Sequence, residues 1–271
     1  MRKIMTSLQQ KVRVCMKLVV TKATYQKIAW VVDTIELVRK GGFGVLKNLR
    51  RPAAEWEKER WINIPGYEHN IVFRPGTKDV GTIIQNLIRE EYGKLKVDVS
   101  PKVVIDAGGY IGDVSIYYLN RYKNSKVYML EPNPEAIKLA RKNLKHYDGR
   151  IEIVEKALWK EDRSLKMNGV FTGAKLSEKD VDQNGIQIKC ISMKSLIERY
   201  AIKKIDLLKM DIEGAEEAII TENANWLDNV KTLVVEYHGK NIKEKCDKEL
   251  RQRGFVGHPY RSLFYYSREN N

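Results

Sequence analysis

The chain has 271 residues, of which 43% are hydrophobic and 31% charged, with a net charge of +14. That length can bury a full core, and that composition excludes a disordered chain and a fibrous repeat. No apolar run nears the roughly 20 residues that span a bilayer, and basic residues interrupt the N-terminus, so neither a membrane span nor a signal peptide is expected.

The charge is uneven. Residues 1–102 hold 20 Lys/Arg against 10 Asp/Glu, whereas residues 103–271 hold 29 against 25. An excess of this kind suits an anionic partner such as a membrane surface, a nucleic acid or an acidic glycan, or simply a solvated basic face. Cys15, Cys190 and Cys246 have neither metal spacing nor even number, which points to a reducing compartment. A cytoplasmic protein is expected, one able to visit a membrane surface through its basic part.

Residues 1–50 read as helical. Ile28, Val31, Val32, Ile35 and Val38 fall at helical spacing beside Trp30, and Gly41-Gly42 is a natural stop. This helix either docks on lipid or a partner, or packs against the rest of the chain. Residues 51–69, with Trp56 and Trp61, read as a linker, and Ile71-Val72-Phe73 as a small strand. The expected division is a basic helical extension at 1–69 and a ligand-binding domain at 70–271. Arg74-Pro75-Gly76-Thr77-Lys78-Asp79 is turn-rich, and a helix is expected from about Val80 to Glu91.

The informative stretch begins at Val103. Val103-Val104-Ile105-Asp106-Ala107 is an apolar run ending in Gly108-Gly109-Tyr110-Ile111-Gly112-Asp113, and a helix follows. A strand, a glycine turn and a helix form a nucleotide-type βα unit, in which glycines allow close backbone approach to a ligand. Lys126 to Leu130 is the next strand, and it delivers Glu131, well placed to accept hydrogen bonds from both hydroxyls of a ribose. Asn133 then caps a helix that starts at Pro134. A dinucleotide and a methyl donor both suit these landmarks. Asp106 decides between them, because a carboxylate before the glycines repels a pyrophosphate but attracts an ammonium group.

Strands and helices then alternate, which implies a parallel sheet covered on both faces. Ile151 to Val154 is the third strand, and Ala157, Leu158 and Trp159 leave its end. Residues 161–190 interrupt the alternation, with short strands at 164–170 and 186–190 around a polar loop carrying Gly173, Lys175 and Ser177; an insertion here suits acceptor recognition. Ser192 caps a helix from Met193 to Tyr200. The fourth strand, Ile205 to Asp211, leads through Ile212-Glu213-Gly214-Ala215-Glu216 into a helix. The fifth, Thr232 to Tyr237, ends in His238-Gly239, and an antiparallel pair at 255–258 and 263–266 closes the chain.

Ligands of such sheets sit beyond the strand ends at the switch point, which puts Asp211 and Glu213 near the reacting group. His238 has an ordinary pKa suited to a general base, with Asp211 and Glu236 as further candidates. Glu216 reads as an acid favoured by a helix N-terminus. The spacing of Asp211, Glu236 and His238 has no metal signature, so no metal is expected.

VVIDAGGYIGDVS at 103–115, VYMLEPNPEA at 127–136 and LLKMDIEGAEEAII at 207–220 together resemble the FkbM family of S-adenosylmethionine-dependent methyltransferases. RPGTKDVGT at 74–82 and VVEYHGK at 234–240 extend the likeness over roughly residues 70 to 267. Gly109-Tyr110 departs from the Ala-Asn that many relatives carry. The resemblance implies a Rossmann-like class I methyltransferase fold, α/β with a seven-stranded, mostly parallel sheet and helices on both faces. It implies S-adenosylmethionine as cofactor, held by Asp106, Gly108, Gly109, Gly112, Asp113, Glu131, Pro132 and Asn133, with Ala157 and Leu158 lining the adenine pocket. Arg74, Asp79 and Tyr92 become candidate lid or substrate contacts, with the alternative that Arg74 and Asp79 simply pair and hold their turn, and Glu213 becomes a substrate contact. The implied reaction is methylation of a hydroxyl on a glycan or small metabolite. Ribose methylation of a nucleic acid and a non-catalytic S-adenosylmethionine-binding module are the competing readings. No Asp/Asn-Pro-Pro-aromatic element follows the fourth strand, which argues against methylation of base amines.

Overall fold

The computed structural model describes residues 22–55, 57–94, 100–168, 175–177, 186–239 and 241–268, with backbone only for 22–33, 36, 94, 167–168 and 175–177. The expectations for Cys15, Trp56 and Gly173, and for the side chains of Ile28, Trp30, Val31, Val32, Lys175 and Ser177, lie outside the described residues.

Helix α1 (Lys22–Arg50) is broken at Gly42, as expected: its φ of 83° and ψ of 160° are non-helical, and a second helical segment starts beyond the kink. Its second half buries Val45, Leu46 and Leu49, Leu37 is buried ahead of the kink, and Val38 packs on the same core, whereas Ile35 is exposed. Strands β1 (Arg60–Ile62) and β2 (Ile71–Phe73) form an antiparallel pair whose Ile62, Ile71 and Phe73 join that core. Helix α2 (Asp79–Ile83) passes into a π turn, Ile84–Ile88, rather than continuing to Glu91. The π turn buries Asn86, Leu87 and Ile88 in succession.

The main sheet alternates with helices: β3 (Val103–Ala107), α3 (Asp113–Arg121), β4 (Lys126–Leu130), α4 (Pro134–Leu144) and β5 (Ile151–Val154) come first. A small separate sheet follows, made of β6 (Ala157–Leu158), β7 (Ser164–Asn168), β8 (Lys175–Ser177) and β9 (Ile186–Ile191). The insertion is thus a sheet of its own, with β6 parallel to β9 and β7 antiparallel to it. Helix α5 (Met193–Arg199), capped by Ser192 Oγ, leads to β10 (Leu207–Met210), α6 (Glu216–Thr221), β11 (Thr232–Glu236), α7 (Ile242–Gln252), β12 (Phe255–Tyr260) and β13 (Leu263–Arg268).

The seven strands run in the order β12-β13-β11-β10-β3-β4-β5, and only β13 is antiparallel to its neighbours. Both faces are buried, as near-continuous apolar strands require. Val104, Val127 and Leu207 face one core cluster; Ile105, Tyr128 and Leu208 face the other. Each such side chain contributes roughly 1.5–3 kcal/mol on leaving water. Because β3, β4, β10 and β11 are parallel, their carboxyl ends share one edge, and the charged loops gather there. No helix among the described residues is long and apolar enough to cross a membrane.

Candidate active site

The turn after β3 touches the end of β10. Gly108 has φ 78°, and a Cβ there would sit on the Asp211 carbonyl oxygen, so only glycine lets the two loops meet. The N–H groups of Gly108 and Gly109 both donate to the Leu130 carbonyl at 3.0 Å, which ties the turn to β4. Gly112, φ 83°, starts α3 under Leu144. Tyr110 takes φ 48°, a conformation that suits asparagine better than tyrosine. Compensation comes from its hydroxyl, which donates to Asp79 Oδ1 at 2.6 Å and accepts from Arg74 Nη2 at 3.0 Å.

Arg74 and Asp79 therefore do not face a substrate as a pair. Arg74 donates to both Asp79 oxygens through its side chain, and Asp79 is fully enclosed. Burial alone would raise the Asp79 carboxyl, but the bonds from Arg74 and Tyr110 outweigh it and hold the group below its ordinary value. Tyr92 is in the core, with burial pushing its phenol well up, so it is no lid residue.

The acids of the first two βα units are likewise enclosed. Asp106 is completely buried, accepts from Ser115 Oγ at 2.7 Å, and pairs with Lys209 Nζ at 3.1 Å. The negative charge expected to meet an ammonium group is thus already matched, as a buried carboxylate requires. Asp113, expected at the cofactor, instead accepts from Asn86 Nδ2 at 2.7 Å, and burial pushes its carboxyl up to about 6. Glu131 fits its expected role better. Its two oxygens accept the N–H of Tyr110 at 2.9 Å and of Asn133 at 2.8 Å, which leaves lone pairs for two hydroxyl donors. Burial pushes its carboxyl up to about 7, held back by the Asn133 and Tyr110 amides and the Lys209 charge. Pro132 follows it, and Asn133 Oδ1 caps α4 through the N–H groups of Glu135 and Ala136. Ala157 and Leu158 are buried, paired with Cys190 and Ile191, and Trp159 is buried with them.

A second group lies past β10 and β11. His238 Nε2 stands 3.6 Å from Asp211 Oδ1 and 3.8 Å from Glu213 Oε2, while its Nδ1 meets Glu216 Oε1 at 2.9 Å. The hydrogen bond to Glu216 pushes the imidazole up to about 9; burial opposes this, and the Asp211, Glu216 and Glu213 charges add to it. The ordinary pKa expected of a histidine base is therefore corrected upward by its carboxylate neighbours. Glu213 takes φ 55° ahead of Gly214 at φ 109°, a strained turn that aims the carboxylate at the histidine. Glu236 is half-buried, and burial followed by the Asp211 charge raises its carboxyl.

Three participants were not singled out from the sequence. Glu216, read as a helix-favouring acid, is fully buried and orients His238. Lys209 bonds the carbonyls of Ala107 and Gly108 besides Asp106, and Tyr110 closes the Arg74–Asp79 pair. A lysine inside the apolar run of β10 was a signal for Lys209, since a lysine so placed must have a partner. Nothing local announces the partners of Glu216 or Tyr110.

A model of the Methyltransferase FkbM domain matches residues 106–256. Methyltransferase 1 of Beauveria bassiana is 26% identical over 168 residues, covering 51% of this chain and 67% of the relative. Hexuronic acid methyltransferase AglP of Haloferax volcanii is 24% identical over 136 residues, covering 50% of this chain and 56% of the relative. Among solved structures, the SAM-dependent methyltransferase from Agrobacterium tumefaciens aligns with a TM-score of 0.46 at 14% identity, covering 82% of this chain and 73% of that one. The match spans more than half of the chain and takes in the glycine turn, the acid after β4 and the ends of β10 and β11, and the chain belongs to the FkbM family of S-adenosylmethionine-dependent methyltransferases.

Proposed function

We propose that this chain methylates a hydroxyl oxygen on a glycan or small metabolite. The observation that carries the reading is the convergence of Asp211, Glu213 and His238 at the strand ends, in contact with the glycine turn through Gly108. The name of the archaeal relative, a hexuronic acid methyltransferase, supports a sugar acceptor.

The residues present fit S-adenosylmethionine. Glu131 keeps acceptor capacity for the ribose hydroxyls, the turn at Gly108 has no side chain to obstruct close approach, and Ala157 and Leu158 offer an apolar wall to the adenine. When bound, it supplies a methyl group on a sulfonium; the acceptor oxygen forms the new C–O bond, the S–C electron pair leaves with sulfur, and the hydroxyl proton must go elsewhere. Asp211, partly exposed beside His238, is the oxygen base nearest to hand for that proton. His238 is fixed by Glu216 and in turn orients Asp211 and Glu213.

The test is transfer of radiolabelled methyl from S-adenosylmethionine to hexuronate-bearing oligosaccharides, neutral sugars and RNA. Label on a sugar, stable to mild base, supports an ether formed at a hydroxyl. Label released by mild base indicates a carboxyl ester, and label on RNA ribose replaces the glycan reading. No transfer to any of them, with S-adenosylmethionine binding intact, leaves a binding module.

A further inference from the structure

Sequence spacing points to no metal, yet the fold assembles a donor set that spacing does not reveal. His238 arrives from the end of β11, and Asp211 and Glu213 from the loop after β10. One donor atom from each lies within 4.8 Å of the others. Behind the imidazole, Nδ1 meets a Glu216 carboxylate that is fully buried and itself held by the N–H groups of Ile212 and Gly214 at 3.4 and 3.3 Å. A buried carboxylate on Nδ1 holds a hydrogen there, so an ion bound at Nε2 takes the place of the second imidazolium proton, between Asp211 and Glu213. Metal-bound histidines are supported in this way.

An independent observation concerns charge. Glu216 Oε2 is enclosed and has no hydrogen-bond partner, so the buried carboxylate is only half satisfied. Lys209 is not positioned to balance it, being committed to Asp106 and to the carbonyls of Ala107 and Gly108. Three carboxylates thus surround one imidazole, and Glu236 adds a fourth through its charge interaction with Asp211.

We propose that Asp211, Glu213 and His238 bind one divalent cation of the Mn²⁺ or Zn²⁺ class, with Glu216 as the positioning residue behind His238. One imidazole nitrogen and two carboxylate oxygens suit first-row transition ions better than calcium. Ligands about 2.0–2.2 Å from such an ion lie about 3 Å apart, so the 3.6 and 3.8 Å gaps close by less than about 1 Å. The three side chains are 24–31% exposed, which leaves the outer face of the ion open to an acceptor oxygen. An ion there lowers the pKa of the acceptor hydroxyl; Asp211 then serves as a ligand, and the proton leaves to solvent rather than to its carboxylate. This catalytic use rests on the proposed hydroxyl transfer; occupancy of the site does not.

The test is titration of the chelator-treated chain with MnCl₂, followed by loss of the free-ion electron paramagnetic resonance signal, and with ZnCl₂ by calorimetry. One ion per chain is expected. Glu213→Gln and His238→Ala should weaken it at least about tenfold, and Glu216→Gln by about tenfold or more. S-adenosylmethionine binding to Glu213→Gln, measured alongside, reports that the variant is folded. A wild-type chain that binds S-adenosylmethionine but neither ion at millimolar concentration overturns the site and leaves the methyltransferase reading intact. Ion binding unchanged in Glu213→Gln and His238→Ala overturns it too. Ion binding without methyl transfer to any hydroxyl acceptor upholds the site and removes the catalytic use assigned to it.

Discussion

The two ends of the candidate site are built differently. Around β3 and β4 the charged groups are enclosed and matched: Asp106 by Lys209 and Ser115, Asp113 by Asn86, Asp79 by Arg74 and Tyr110, and Glu131 by two backbone amides. Around the ends of β10 and β11, apart from the 2.9 Å bond of His238 to Glu216, the contacts of Asp211, Glu213 and His238 are 3.6–4.0 Å and the three side chains partly exposed. One half is assembled in advance, and the other is left to be completed by what binds there. On the proposed function the difference separates two roles: a cofactor side gains from rigidity, whereas an acceptor side must accommodate a reacting group.

The comparison predicts where substitutions damage the fold and where they damage only chemistry. Arg74→Ala strands the buried Asp79 carboxylate and should cost about 3–5 kcal/mol in stability by denaturant titration. A loss under about 1 kcal/mol would mean the enclosed half is less tightly matched than its geometry. Asp211→Asn, on the open half, should lower methyl transfer by roughly 10²–10⁴-fold and leave the melting temperature nearly unchanged. A large drop in melting temperature instead would erase the contrast between the halves.

Glu131 sharpens the contrast through pH. Its folded pKa, about 7, stands above the ordinary carboxyl value of 4.5. The protein without cofactor therefore holds this proton more tightly than the unfolded chain does, and loses stability as pH rises from about 4.5 through 7. Cofactor binding runs the other way, because ribose hydroxyls donate to the ionised form. Affinity for S-adenosylmethionine measured calorimetrically should rise as pH climbs toward about 7 and level off above it, and Glu131→Gln should flatten that rise and weaken binding about tenfold or more. At the small end, Lys138→Ala removes an exposed pair with Glu135 and should change stability by less than about 0.5 kcal/mol.

What was legible in the sequence was local. The strands at 103–107, 126–130 and 151–154 and the caps at Asn133 and Ser192 follow from apolar runs and capping residues that act within a few positions. The placement of Glu131 followed from one strand end. Pairings made across the fold were not legible: Lys209 meets Asp106 over 103 positions, Tyr110 meets Asp79 over 31, and Asn86 meets Asp113 over 27. The pairing of Asp106 with Lys209 on the neighbouring strand was hidden for this reason. The break at Gly42 was legible from the glycine pair, whereas the direction of the segment beyond it is set by the packing of Val45, Leu46 and Leu49.

The contact of Gly108 with the Asp211 carbonyl sets a boundary for redesign. With no space for even one methyl group between them, the glycine turn and the loop carrying Asp211 and Glu213 are inherited as a single block. Anyone seeking a new acceptor range by exchanging segments between relatives should transplant that block whole. Within the small sheet, β7 and β8, away from the Ala157–Leu158 wall, are the strands to diversify instead.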